Sequence, residues 1–251
     1  MNKDTMHQIR LYGKNIKNTV GGKKSYWSDI ESWKKERFLE TGKEVKMINV
    51  TTISSNWSRK LSPILMGPVK TYEENGKVLE AVSVEVAWQY SKVYLREYDG
   101  QSYKKLNFIG NDGLPNNKWF KWRNEAWNNE GFHWDHESFD DNKKYVRRAY
   151  RKGSQAGGWW WNGRMLQAEQ ARREIYANLY CSEVQKTDEF QRLLDLRLEG
   201  DLLIYDIDGY DYVALGMKPE DTIRDLNHSW GHGLLLTLML QGIDPTKLNT
   251  I

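Results

Sequence analysis

The chain has 251 residues, 39% of them hydrophobic and 28% charged, with a formal charge of +3, enough to bury a core as one large domain or two small ones. That mild charge does not by itself indicate nucleic-acid binding. The single cysteine, Cys181, excludes an intramolecular disulfide and fits a reducing cytoplasm. No apolar run approaches membrane-spanning length, and the opening MNKDTMHQIRLYGKN has no apolar signal core. The sequence therefore predicts a cytoplasmic protein without a membrane partner.

There are 12 Trp and 14 Tyr against 6 Phe, and such rings serve either a core or the stacking of a flat ligand. Residues 1–44 read as a polar, basic segment followed by a helix. Gly22-Lys23-Lys24-Ser25 tempts a phosphate-loop reading, but Lys17 stands where that motif needs its first glycine. Ser28 and Glu31 have capping-box spacing, so a helix is expected from Ser28 to Gly42. Val45–Ile53 (VKMINVTTI) is expected to be a buried strand. The loop after it, Ser54–Val69, carries Asn56, Trp57, Ser58, Arg59 and Ser62. A strand feeding a polar loop is a common way to present groups to a ligand. Arg59 could pair with phosphate and Trp57 could stack on a base, or both could be ordinary surface and packing.

After a turn at Glu73–Gly76 comes Ala81–Tyr94, AVSVEVAWQYSKVY, which is expected to be helical. On one helix, Glu85, Gln89 and Lys92 form a polar row beside a stripe of Val84, Trp88 and Ser91. The row suits either a pocket wall or a solvated face.

Arg96–Asp141 looks like an insertion-rich middle, with turn chemistry at Asn111–Asn117. Trp119, Trp122, Trp127 and Trp134 alternate with Lys118, Lys121 and Arg123. The 104–123 stretch could therefore touch a nucleic-acid strand, or a basic helix could turn its tryptophans inward. His133 and His136 have metal-ligand spacing without further ligands, so no metal is expected. Phe139–Lys152 reads as a basic helix. Trp159–Trp161 cannot all face one core, which places at least one ring at a pocket or interface. Long helices are expected over Gly163–Leu179 and Thr187–Leu198, and a buried strand over Asp201–Ile207.

That strand ends in Asp206-x-Asp208-Gly209, which resembles the haloacid-dehalogenase phosphatase motif. Tyr210 replaces the usual threonine, however, and only about forty residues follow, too few for that fold's parallel sheet. The aspartates also miss the calcium-loop register. Trp230-Gly231-x-Gly233 then precedes an apolar helix, where glycine lets a ligand approach backbone N–H groups. His228 and His232 read as polar loop residues.

Together, SVEVAWQYSKVY (83–94), the Trp segment leading to Met165, LLDLRLEGDLLIYD and the closing WGHGLLLTLML resemble the NADAR, or YbiA-like, family. The resemblance covers about 48–94 and 159–241 and implies a single α+β domain, predominantly helical with a few short strands, spanning 45–251 with an enlarged insertion at about 95–158. It also implies cleavage of ribosyl–nitrogen bonds, in riboflavin-pathway intermediates or in ADP-ribose attached to guanine, without a cofactor. Glu85 carries over as the catalytic carboxylate, which can stabilise an oxocarbenium-like cation and activate water. Trp57 or Trp161 would stack on the ligand, and Arg59 and Lys92 would offer charge to phosphates. Asn56, Ser62, Trp88, Gln89, Asp206, Trp230 and Gly231 complete the expected binding set. Asn227 also belongs to it, standing where the family carries Asp and able to orient a ligand but not to act as a base. The rival expectation is a non-catalytic module that binds ADP-ribose or a signalling nucleotide.

Overall fold

The structure, a computed structural model, describes residues 7–13, 22–98, 103–105, 108–128, 156–207 and 209–248. His133, Trp134, His136, Asp208 and the expected helix Phe139–Lys152 lie outside the described residues. The architecture is α+β, with helices and four small sheets among the described residues. It divides into two compact units, residues 1–62 with 181–251 and residues 63–180.

The first unit is organised on a parallel sheet of β1 (Ile9–Gly13), β10 (Leu202–Asp206) and β2 (Lys46–Asn49), with β10 central. Its LLIY run is apolar on both faces, as a strand covered on both sides requires, and Leu202, Leu203 and Ile204 are fully buried. The strand expected over Val45–Ile53 is shorter, because pairing with β10 stops at Asn49 and the chain turns at Thr51–Ile53. Helix α1 begins earlier than expected, at Gly22, and runs to Thr41. Ile30, Trp33 and Arg37 face inward at helical spacing. Gly42 ends it at φ +68°, its N–H bonded to the Phe38 carbonyl at 2.8 Å. Helix Asp188–Glu199 follows its expected cap, Thr187, whose hydroxyl accepts from the Phe190 N–H. The apolar helix His232–Leu240 is buried almost throughout.

The second unit opens on the hairpin of β3 (Val69–Glu74) and β4 (Lys77–Ala81). Asn75 and Gly76 both have positive φ, the two-residue turn that Asn-Gly favours. Helix α2 (Val84–Tyr90) and strand β5 (Lys92–Tyr94) follow. Strands β6 (Arg96–Tyr98) and β7 (Tyr103–Lys105) pair with each other, while β5 pairs antiparallel with β8 (Ala156–Trp161), which pairs in turn with β9 (Arg164–Leu166). The β8–β9 turn, Asn162-Gly163 with φ of 47° and 78°, is a second hairpin of the same kind. The helix expected over Gly163–Leu179 therefore begins only at Ala168, and Met165 lies on a strand. From Arg172 to Ala177 the helix widens into a π-helical stretch, a form often found beside functional sites.

Helix α3 (Asn117–Asn128) turns the described tryptophans of the basic-aromatic region inward. Trp119, Trp122 and Trp127 are all buried, so these rings form core and are not free to stack on bases. Arg123, also fully buried, lies over the rings of Tyr72, Trp119, Phe120 and Trp127 and donates to the Tyr72 hydroxyl and the Glu74 carboxylate. Lys118 and Lys121 remain exposed.

Candidate functional site

Ser83 starts the Glu85 helix, its hydroxyl accepting from the Val86 N–H at 3.2 Å. Glu85 therefore sits in the first turn, where the helix dipole favours a carboxylate. The helix runs for seven residues, Val84–Tyr90, and ends as the Ser91 hydroxyl donates to the Ala87 carbonyl at 2.6 Å. The Glu85–Gln89–Lys92 row is thus built from a helix and the strand after it, rather than from one helical face. It is nonetheless continuous. The Gln89 amide Nε2 donates to Glu85 Oε1 at 2.7 Å, and its Oε1 accepts from Lys92 Nζ.

An aromatic tier lies beside this row. Trp88 and Trp159 stack with centroids 5.3 Å apart and planes at 21°. Tyr176, from the π-helical stretch, meets Trp88 at 5.2 Å, and Lys92 Nζ stands 5.2 Å over the Trp88 ring. Trp159 is directly across the β5–β8 pair from Lys92. Its indole Nε1 is buried without a hydrogen-bond partner among the described residues, a donor left over beside the Glu85 row.

The electrostatics follow from burial. Desolvation draws the Lys92 ammonium down to about 8, against the pull of the Glu85 carboxylate. Lys92 therefore exchanges its proton near neutral pH, as an ordinary surface lysine does not. Burial raises the Tyr94 phenol, and Tyr90 and Glu85 push it the same way, so it stays protonated. The group thus offers a carboxylate to meet positive charge, an amine able to hold or release a proton, and ring surface for a flat ligand.

The other expected residues of this unit and the residues of the first unit have different surroundings. Trp161 is buried against Tyr72 and Trp127, so the ring of the triplet that joins the Glu85 group is Trp159. Trp57 begins a short 3-10 helix, Trp57–Leu61, and is covered by the Arg192 guanidinium at 4.4 Å. Arg59 is exposed and its Nε donates to the Thr52 carbonyl at 2.9 Å. The Ser62 hydroxyl is buried 3.1 Å from that of Thr52. Asn56 is exposed in the turn before the 3-10 helix, its N–H bonded to the Ser54 hydroxyl at 3.2 Å.

Asp206, expected to face a ligand, is buried and caps the closing helix. Its Oδ2 accepts from the Gly233 N–H at 3.1 Å and its Oδ1 from the Ile207 N–H at 2.7 Å. Gly231 is the N-cap of that helix, and Gly233 lies within it so close to Asp206 that an added Cβ would stand 2.6 Å from the aspartate Cβ. His232 is a buried helical residue rather than a loop residue, its Nε2 hydrogen-bonded to the Val50 carbonyl at 2.8 Å. Trp230 is buried, with its indole 3.4 Å from the Thr222 hydroxyl. Asn227 is exposed in a turn closed by Asp225, whose other carboxylate oxygen meets His228.

Among the described residues no group of His, Cys, Asp and Glu is arranged to hold a metal, and no helix is long and apolar enough to cross a membrane. No protein-family model, curated protein or solved structure matches this chain.

Proposed function

We propose that the chain is an N-glycosidase of YbiA-like type acting on an ADP-ribosyl or nucleotide substrate in the cytoplasm, with removal of ADP-ribose from guanine bases as its specific form. One observation carries this reading. Glu85, Gln89 and Lys92 form a continuous hydrogen-bonded row beside the stacked rings of Trp88 and Trp159. Breaking a C1′–N bond builds positive charge on the ribose, and a carboxylate set in a partly buried site stabilises that charge. Glu85 takes this role and directs water to C1′ as the base departs. Gln89 fixes the carboxylate rotamer, and Lys92 supplies charge for a phosphate or exchanges a proton with the departing base. Trp159 is the ring best placed to meet a flat base. The proposal rests on the second unit alone.

The binding-only reading has one observation in its favour. Asn227 supplies an exposed amide where the resemblance leads one to expect a carboxylate. The two readings separate in one experiment. Wild-type protein is incubated with ADP-ribosylated guanosine DNA and, separately, with riboflavin-pathway intermediates, and products are read by mass spectrometry. Release of free base or ADP-ribose supports the glycosidase. Tight calorimetric binding of ADP-ribose without turnover supports the binding module, and neither turnover nor binding removes both.

A further inference from the structure

One end of the Glu85 row carries more donors than acceptors. The Lys92 ammonium has three N–H groups, and among the described residues Gln89 Oε1 is the acceptor it meets, with no carboxylate in ion-pair contact. The Trp159 indole adds one more N–H, enclosed and without an acceptor among the described residues. Trp127 and Trp160 also carry unpartnered indole nitrogens, but their rings are 2% and 8% exposed and belong to the core. Lys92 and Trp159 are each only half-buried, so their side of the site borders solvent. A donor enclosed without an acceptor is costly, and a ligand oxygen set against it removes that cost.

Strand register gathers these donors. Lys92 lies directly opposite Trp159 in the β5–β8 pair, so both side chains leave the same face. Both turn to Trp88: the Trp159 ring stacks on it at 5.3 Å, and the Lys92 ammonium stands 5.2 Å over it. A cation and a neutral donor around one ring fit a group with negative charge and several acceptor oxygens, and a phosphoryl group has both. Glu85 is the carboxylate whose field reaches Lys92, and it would repel such an anion. Gln89 keeps the two apart, its Nε2 on Glu85 and its Oε1 on Lys92. The row is therefore acidic at one end and cationic at the other. In a nucleotide the reacting C1′ and the phosphates are joined through the ribose, so a C1′ held at Glu85 sends the phosphates away from the acid.

We infer that Lys92 and the Trp159 indole N–H form the subsite for the diphosphate of a nucleotide substrate, an inference that rests on the proposed reaction at Glu85. Lys92 is then the anchor of the phosphates rather than the proton donor to the departing base.

Calorimetry at pH 7 with inorganic pyrophosphate and with ADP-ribose tests it. Wild type should bind pyrophosphate, and should bind ADP-ribose about tenfold more tightly because the nucleotide adds its sugars and base. Lys92→Met should weaken both ligands about thirtyfold, and Trp159→Phe, which keeps a ring and loses only the N–H, about fivefold. Far-UV spectra confirm that both variants fold. Absence of pyrophosphate binding to wild type overturns the inference, as does a pyrophosphate affinity that either variant leaves unchanged. ADP-ribose binding no tighter than pyrophosphate overturns the assignment to a nucleotide. These measurements read binding without turnover. Base release by wild type alongside any of these negative results removes the subsite alone, while pyrophosphate binding lost in both variants without base release by wild type removes the reaction alone.

Discussion

Lys92 stands 5.2 Å over the ring of Trp88, although the helix carrying Trp88 has already ended. The chain turns from helix to strand at Ser91, and the strand returns the ammonium to the same polar row through Gln89. Burial brings the Lys92 proton down to about 8 from an ordinary 10.5. Between those values the unfolded chain holds more protons than the folded one, so stability rises with pH across that window, while below it the cost of the buried charge is fully present. Lys92→Met should flatten this rise. Across the window the stability gap between wild type and variant should move by about 3 kcal/mol in favour of wild type. Urea denaturation of both proteins from pH 7 to 10.5 checks this.

Asp206 is assigned to the architecture of the first unit, since its carboxylate caps the closing helix. Asp206→Ala should cost about 1–2 kcal/mol of stability, and Asp206→Asn, whose amide oxygen can still accept, should cost less. Gly233→Ala should also destabilise, because its Cβ would meet Asp206. Thermal melts of the three variants measure this. A ligand-binding aspartate would instead lose affinity with its stability intact.

The buried Arg123 holds the aromatic core of the second unit. Removing it leaves Tyr72 and Glu74 without their donor and opens a cavity among Trp119, Phe120 and Trp127. Arg123→Ala should cost about 3 kcal/mol or more. Arg123→Lys should recover only part, since an ammonium lacks the flat fork that lies over the rings and reaches both partners. Chemical denaturation gives both values.

Several elements could be read from local chemistry. Thr187 as a cap, Gly42 as a helix stop and the LLIY strand all depend on short-range rules, and all appear as expected. The Asn162-Gly163 hairpin carried an equally local signal. The apolar spacing from Met165 onward suggested a helix instead, although Asn-Gly after three tryptophans is a strong hairpin cue. Non-local placement was not legible. Nothing near Trp159 announces that it lies across from Lys92 while Trp161 turns into the core, because strand register decides this. Asp206 and Gly233 are 27 positions apart in sequence, so only the packing of strand against helix reveals the cap.

Trp159 should matter to a ligand more than Trp161 does. Trp159→Ala should weaken binding of ADP-ribose about tenfold or more, consistent with the loss of one stacked ring. Trp159→Phe, which keeps a ring and loses the indole N–H, should fall between. Calorimetry reads the affinities, and far-UV spectra confirm that the variants fold.

In the proposed reaction Glu85 carries the chemistry. The most direct measurement is single-turnover release of ADP-ribose from ADP-ribosylated guanosine DNA, followed by mass spectrometry for wild type and Glu85→Gln. Glutamine keeps the shape and can still hydrogen-bond to Gln89, but it cannot carry the charge that meets the ribosyl cation. The expected result is ligand binding within a few-fold of wild type and a rate lower by about a hundredfold or more. Equal rates in the two proteins would remove Glu85 from catalysis.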